Sequence, residues 1–183
     1  RRGRTLSPVV EVARAGSTLP SPQEVEQLYA LASARGPLAE PVEVAELYAT
    51  LYDLTLDRPD LVSVTAREVG ELVGFAYGHA WRWSEQTDEW SADLAARLGD
   101  DASGLDGSFA VQLLAVHPSF TRNGLGFELL KRLMIASASA VHWLATSDLD
   151  TPARRLYRRM GYRPLGYGPE TPSGSPGLVL IHG

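Results

Sequence analysis

Cysteine is absent from all 183 residues. That excludes disulfides, thiolate metal ligands and a cysteine nucleophile, and it agrees with a cytoplasmic location. Long apolar runs are lacking too. None approaches the ~20 residues of a membrane helix, and no signal-peptide pattern opens the chain, so no membrane partner is expected. Positive charge is in deficit, with 17 Lys and Arg against 22 Asp and Glu and a net charge of −5. A general nucleic-acid binder would show the opposite balance. The histidines, His79, His117, His142 and His182, are scattered without metal-ligand spacing, so no metal is expected.

Arg1, Arg2 and Arg4 read as a solvated tail. The chain opens RRGR rather than with methionine, so its natural start is expected upstream. Arg154, Arg155, Arg158 and Arg159 cluster late in the chain and leave a local phosphate site open.

What is present is the composition of an ordinary globular protein, 44% hydrophobic and 21% charged. This length is expected to form one domain over 1–183 with a real core. A first strand is expected over 5–15. Ser21, Pro22 and Glu24 then spell a capping box opening a helix, whose inner face is expected to be Val25, Leu28, Tyr29 and Ala32. A second helix places Val44, Leu47, Tyr48 and Leu51 on one face. LVSVTARE and ELVGFAYGHAW read as two strands joined at Val69-Gly70. Residues 83–107 break the rhythm, with seven acids against one base, Arg97. This acidic insert is expected to hold a short helix over 91–98 and to be functional.

SFAVQLLAV (108–116) is apolar on both faces, as a central strand would be. Leu125, Leu129, Leu130, Leu133 and Met134 form a helical face after it. VHWLATS (141–147) is a further strand, and TPARRLYRRMG a helix capped by Thr151, started by Pro152 and ended by Gly161. YRPLGYG and GLVLIHG close the chain as strands. The order β, α, α, β, β, insert, β, α, β, α, β, β is that of a mixed α/β sheet. The strands at 108–116 and 141–147 are expected to run parallel.

Between strand 108–116 and its helix lies SFTRNGLGFELL, with Gly124 and Gly126 at the turn. A tight turn explains them, and so does an anion, which unpaired helix N-terminal amides and the helix dipole attract. Arg122 adds a charged donor. A Walker loop needs Gly-Lys-Ser/Thr, which is missing. A dinucleotide fingerprint needs a glycine where Leu129 stands.

The stretch AVHPSFTRNGLGFELLKRLM resembles motif A of the GCN5-related N-acetyltransferases, Gln/Arg-x-x-Gly-x-Gly/Ala, aligned on Thr121 to Gly126. Thr121 departs from the usual Gln or Arg. LDTPARRLYRRMGYRPLG is similar to the family's motif B through Asp150, Ala153, Tyr157, Gly161 and Tyr162, with Asp150 in place of the usual Asn. The likeness covers about 61–82 and 108–168.

It implies a mixed, mostly antiparallel sheet with a splayed parallel strand pair and helices on both faces. It implies acetyl-CoA as the acyl donor and a primary amine as acceptor. The amides of Arg122, Asn123, Gly124, Leu125, Gly126 and Phe127 would hold the pyrophosphate. The edge at Leu114, Ala115 and Val116 would hold the pantetheine arm and an oxyanion. Asp150 would approach the pantetheine or a bridging water, although an ionised Asp lacks the amide donors. Tyr157 is implied as the general acid facing the thioester sulfur.

Gln112 stands where many members carry a basic Glu and cannot serve as a base. Asp106, Glu85, Glu89 or solvent remain for that task. In the family the first helices and the insert frame the acceptor, which here means Tyr29, Tyr48, Trp81, Trp83 and Trp90. Acids beside aromatics suit a cationic amine, while a solvated acidic loop with locally packed tryptophans accounts for the same residues. Gln112 and Asp150 also admit a second reading, a catalytically weak acyl-CoA-binding sensor or interaction module. Self-association into a homodimer is left open.

Overall fold

The computed structural model describes residues 7–183. The tail arginines Arg1, Arg2 and Arg4 and the first two residues of the strand expected over 5–15 lie outside them. Among the described residues, seven strands form one sheet: β1 (Val9–Arg14), β2 (Val62–Glu68), β3 (Glu71–Trp81), β4 (Ser108–Val116), β5 (His142–Ser147), β6 (Arg163–Gly168) and β7 (Gly177–His182). Their spatial order is β1-β2-β3-β4-β5-β7-β6. Every neighbouring pair is antiparallel except β4 and β5, which are parallel. The helices are α1 (Pro22–Ser33), α2 (Val42–Asp53), α3 (Glu89–Leu98), α4 (Leu125–Ser137) and α5 (Pro152–Arg159). The mixed, mostly antiparallel α/β class and the element order agree with the sequence.

The helix starts follow from local chemistry. At α1 the Glu24 amide donates to Ser21 Oγ (3.2 Å) and the Ser21 amide to Glu24 Oε2 (2.9 Å), which completes the capping box. Thr151 Oγ1 accepts from the Arg154 amide at 3.0 Å and caps α5 in the same way. Asp88 caps α3 through the Ser91 amide. The β2–β3 connection is a two-residue turn in which Val69 and Gly70 both have positive φ (49° and 83°), the geometry that matches strand twist.

Two faces of the sheet are covered. Val64, Ala76, Val111, Leu144 and Leu180 lie under α4 and α5, against Leu125, Leu129, Leu130, Leu133 and Tyr157. The opposite face carries Phe75, Tyr77, Leu113 and Ala115 under α1 and α2. Beside them on that face, Ala110, Trp143, Val179 and Ile181 lie under α3, against Leu94 and Leu98.

Two expectations change here. On α2 the buried residues are Val44, Ala45, Ala49 and Tyr52, whereas Leu47 and Leu51 are exposed. The buried stripe thus combines two alanines with Val44 and the fully buried Tyr52, and the two leucines are turned outward. In the 83–107 segment, α3 begins at Glu89 and a short 3₁₀ stretch follows over Gly99–Leu105. Trp83 of this segment packs inward, edge-on to Trp81 of β3, which in turn meets Trp143 of β5, and its Nε1 donates to the Ala102 carbonyl at 2.7 Å. Trp90 is exposed.

The core also holds titratable groups. His142 is buried beside Phe109 and His182, and its Nε2 lies 2.7 Å from Ser137 Oγ. Burial first, then the neighbouring His182, lower its pKa below the ordinary 6.5. Burial lowers His79 likewise. A histidine with a lowered folded pKa is protonated more readily in the unfolded chain. Its stabilising contribution is therefore complete above about pH 6.5 and is lost as the pH falls through that value. The melting temperature is expected to fall between pH 7.5 and 5.5, each such group contributing at most about 1.4 kcal/mol per pH unit. His142→Asn should flatten that slope, and thermal melts across the range check it. The carboxylates held low by hydrogen bonds and ion pairs, Glu24, Asp60, Asp88 and Asp148, act at more acid pH.

Candidate active site

The site begins with a defect in the sheet. β4 pairs with β5 only through Phe109–His142 and Ala110–Trp143. β5 goes on pairing with β7 as far as Ser147, so past Ala110 the edge of β4 facing β5 stands without a strand partner. The cause is visible on β4's other edge. Tyr77 pairs with Leu113 and Gly78 with Val111, which leaves Gln112 as an extra residue, a β-bulge. A bulge bends its strand and increases its twist, and this one turns the second half of β4 away from β5. Gln112, apolar strand on either side, is exposed as a consequence. Leu114, Ala115 and Val116 occupy the parted end.

The glycine turn lies at that same end. Gly124 is the N-cap of α4 with φ 76°, in the left-handed region that glycine enters without a Cβ clash, and no side chain caps the helix. The first amide of this region to reach back is that of Glu128, to the Gly124 carbonyl at 3.0 Å. Among the described residues the amides of Leu125, Gly126 and Phe127 have no protein acceptor. α1, α3 and α5 all carry capping side chains; α4 presents bare N–H groups and the positive end of its dipole.

The two glycines do different things. A Cβ on Gly124 would meet nothing within 4 Å, so the space before it is open. A Cβ on Gly126 would come to 3.3 Å from Leu156 and 3.7 Å from Val116, so Gly126 allows the first turn of α4 to close on β4 and α5. Arg122, Asn123 and Phe127 are exposed, Arg122 with φ 68°.

Tyr157 lies on α5 at 7% exposure, within the core beneath α4 and α5. Burial, and after it the Tyr48 phenol, hold its hydroxyl well above the usual range. Tyr48 belongs to α2 and packs on the opposite face of the sheet. The Tyr157 hydroxyl has no protein hydrogen bond among the described residues.

Asp150 is exposed and pairs with Arg155 at 2.9 Å. Arg154 pairs with Asp148 at 2.7 Å; Arg155, Arg158 and Arg159 are exposed. Of the carboxylates considered as bases, Asp106 accepts from the Trp83 amide at 2.9 Å and Glu85 pairs with Arg82 at 3.3 Å, while Glu89 is exposed at the start of α3.

One acidic residue of the α1–α2 connection is only half satisfied. Glu40, in the α1–α2 connection, accepts from the Tyr29 hydroxyl at 2.8 Å through Oε1. Its Oε2 is buried without a partner. Tyr29 and Tyr48 meet edge to face with ring centroids 4.8 Å apart. Burial, then the charge of Glu40, push the Tyr48 phenol up to about 12. The sequence signal was slight: a lone acid between two prolines, in GPLAEP.

Among the described residues no helix is long and apolar enough to cross a membrane, and no group of three or more His, Asp or Glu is placed to hold a metal ion. A hollow of about 490 Å³ lined by Arg58, Pro59, Asp60, Arg82 and Glu85 lies apart from these residues. Its walls are mutually ion-paired.

No curated protein sequence matches the chain. Solved structures do. A GNAT-family protein from Desulfovibrio desulfuricans superposes with TM-score 0.63 at 18% identity, over 94% of this chain and 98% of that one. The ribosomal-protein-S18-alanine N-acetyltransferase of Escherichia coli gives 0.59 at 13% identity, over 95% and 93%. An aminoglycoside 6'-N-acetyltransferase complexed with coenzyme A gives 0.56 at 16%, over 93% and 95%. At these identities the likeness is one of fold. The model of the acetyltransferase (GNAT) family matches residues 25–162, which take in the parted strands, the uncapped helix and Tyr157. The chain belongs to the GNAT family of N-acetyltransferases.

Proposed function

We propose that this chain, acting as a single domain over 1–183, transfers an acetyl group from acetyl-CoA to a primary amine by direct attack. The observation that carries this reading is the parting of β4 from β5 beside an uncapped helix N-terminus. Free strand-edge amides and free helix amides are what a pantetheine arm and a pyrophosphate require. Acetyl-CoA use is typical of the family, and a structural relative is described with coenzyme A.

In this reading Arg122 to Phe127 hold the pyrophosphate, with Gly124 keeping the approach open. Leu114, Ala115 and Val116 line up the pantetheine, and one of their amides supports the oxyanion. Asp150 stands beside the pantetheine, with one carboxylate oxygen already engaged by Arg155. The amine nitrogen attacks the thioester carbonyl carbon, the C–S bond breaks, and the departing sulfur receives the Tyr157 hydroxyl proton as a hydrogen bond or in full. The amine's own protons leave to the solvent or restore the phenol. Gln112 cannot take them.

The second reading, an acyl-CoA sensor with weak turnover, rests on Gln112 and Asp150. It keeps the cofactor site and loses the chemistry. Calorimetric titration with acetyl-CoA tests what both share. Binding on the order of micromolar is expected. It should weaken about tenfold in Arg122→Ala, the loss of one charge-assisted donor. It should weaken further in Gly124→Glu, which sets an anion and a strained φ where the phosphate lies. No binding at about 1 mM, the weak end of the ordinary substrate range, would overturn the acetyl-donor assignment. The relatives above act on an aminoglycoside and on a protein alanine, so the fold alone does not choose the acceptor.

A further inference from the structure

We propose that the outer face of α2 is a docking site for a basic amphipathic helix of a partner protein. Its leucine stripe takes the partner's apolar side, and its carboxylates take the partner's lysines or arginines. This goes beyond acetyl transfer and does not depend on it.

The stripe follows from helical geometry. At about 100° per residue, Leu47, Leu51 and Leu54 fall within about 60° of one another on the helix surface. All three are exposed, Leu54 to 74%. The inner face of α2 is already engaged, because Val44, Ala45 and Tyr52 share a core cluster with Phe75 and Tyr77 of β3. The leucines lie outside that contact. Val69, Trp90 and Tyr167 are exposed as well, but they stand in separate parts of the chain, and single apolar residues on a surface are ordinary. Three in one line over two turns form a patch of the kind that contacts a partner.

Charge selects the occupant. The exposed acids Glu43, Glu46 and Asp53 lie on one flank of the stripe, within about 80° of one another. Asp57, also exposed, follows just beyond the helix. From Pro41 to Asp57 the sequence holds no Lys or Arg. Among the described residues none of these four carboxylates forms an ion pair, whereas Glu24, Asp60, Glu128 and Asp148 each hold an arginine. An apolar stripe beside uncompensated acids is the complement of an apolar stripe beside bases. The i, i+4, i+7 spacing is that of a ridge on which a second helix packs. A second copy docking through the same face would bring four more carboxylates and no base. An anionic membrane surface would be repelled.

The test uses two labelled helical peptides of about 18 residues with the same leucine stripe, one flanked by lysines and the other by glutamates. Each is titrated with the full chain by fluorescence anisotropy at about 0.15 M salt. The lysine peptide is expected to bind saturably below about 1 mM and at least about tenfold tighter than the glutamate peptide. Leu47→Gln with Leu51→Gln should weaken it about tenfold or more. Glu46→Lys with Asp53→Lys should invert the preference, so that the glutamate peptide becomes the tighter ligand. Asp100→Lys with Asp101→Lys makes the same change of charge on exposed acids of the 3₁₀ stretch, and should leave the lysine peptide within about twofold of its parent affinity. Every altered side chain is exposed, so melting temperatures should stay near the parent's. Should the leucine variant fail to fold, the charge inversion is a sufficient test. No binding at about 1 mM, equal binding of the two peptides, or the same response in the Asp100 and Asp101 variant as in the Glu46 and Asp53 variant would overturn the proposal. A dimer in sedimentation equilibrium that the leucine variant abolishes would assign the stripe to a second copy and overturn it too.

Discussion

Tyr157→Phe is expected to lower kcat about a hundredfold or more, the usual scale of a positioned proton donor, and to leave acetyl-CoA affinity nearly unchanged. Tyr157 lies in the core under α4, on the helix that follows β5. Its pKa is raised, by burial first and by Tyr48 second. Such a group keeps its proton across the whole working range, so it acts as a donor and never as the base.

The direction of the shift also limits what it donates. A thiolate with a pKa of about 8.5 is a weaker base than this phenolate, so the proton does not pass to sulfur as a finished downhill step. In the proposed mechanism it is shared as the C–S bond opens, and the phenol is restored by the more acidic nitrogen of the attacked amine. Phenylalanine keeps the ring and its packing but loses this path. Because the hydroxyl has no protein partner to strand, the melting temperature should hold or rise. Single-turnover thiol release and acetyl-CoA calorimetry on the two proteins decide the matter. Turnover within a factor of about three of the parent would be far short of general-acid catalysis and would remove Tyr157 from that role.

The parts of this molecule legible in its sequence are those whose cause is local. The Ser21–Glu24 capping box, the Thr151-Pro152 start of α5, the Val69-Gly70 turn and the leucine face of α4 each depend on a few adjacent residues, and each stands as expected. α2 was misread because helix faces are weighted toward large residues. Leu47 and Leu51 dominate such a count, yet the buried face is Val44, Ala45, Ala49 and Tyr52. The bulge at Gln112 had no sequence signal. β4 is apolar on both faces, so an extra residue disturbs no alternation that could be read. The Glu40 contact escaped for a different reason. It depends on Tyr29, eleven residues away, and on a loop conformation at Ala39 that a non-glycine residue does not advertise. The glycine turn at Gly124 follows directly on the parted end of β4, and the register shift beside that end lies outside the motifs around Gly124 and Tyr157.

That register shift carries the last prediction. Gly78 sits opposite Val111 at the bulge. A Cβ there would stand 2.3 Å from the Ala110 carbonyl oxygen and 2.6 Å from the Phe109 ring. Gly74, four residues earlier, is nearly as crowded, with Leu129 Cδ1 at 2.9 Å. That neighbour is the end of a side chain that can rotate, whereas the obstacle at Gly78 is backbone in the central strand. Gly78→Ala therefore cannot be accommodated by a rotamer change and must push β3 from β4 or undo the bulge. The expected loss is about 3 kcal/mol, the upper range of overpacking. For a chain of this size that is roughly a 6–12 °C drop in melting temperature.

The functional consequence separates this from ordinary destabilisation. Ala110 is also the last residue of β4 paired with β5, so a shift of its carbonyl moves the point where the strands part. At a temperature where Gly78→Ala is still folded, acetyl-CoA binding should be weakened about tenfold or more, the effect of misplacing a few strand-edge hydrogen bonds. Gly74→Ala at the same folded fraction should bind acetyl-CoA nearly as the parent does. Equal affinity in the two variants would mean that the bulge shapes the sheet without setting the site. A loss confined to Gly78→Ala would place the origin of the acyl-CoA cleft in the fit of one glycine against one carbonyl.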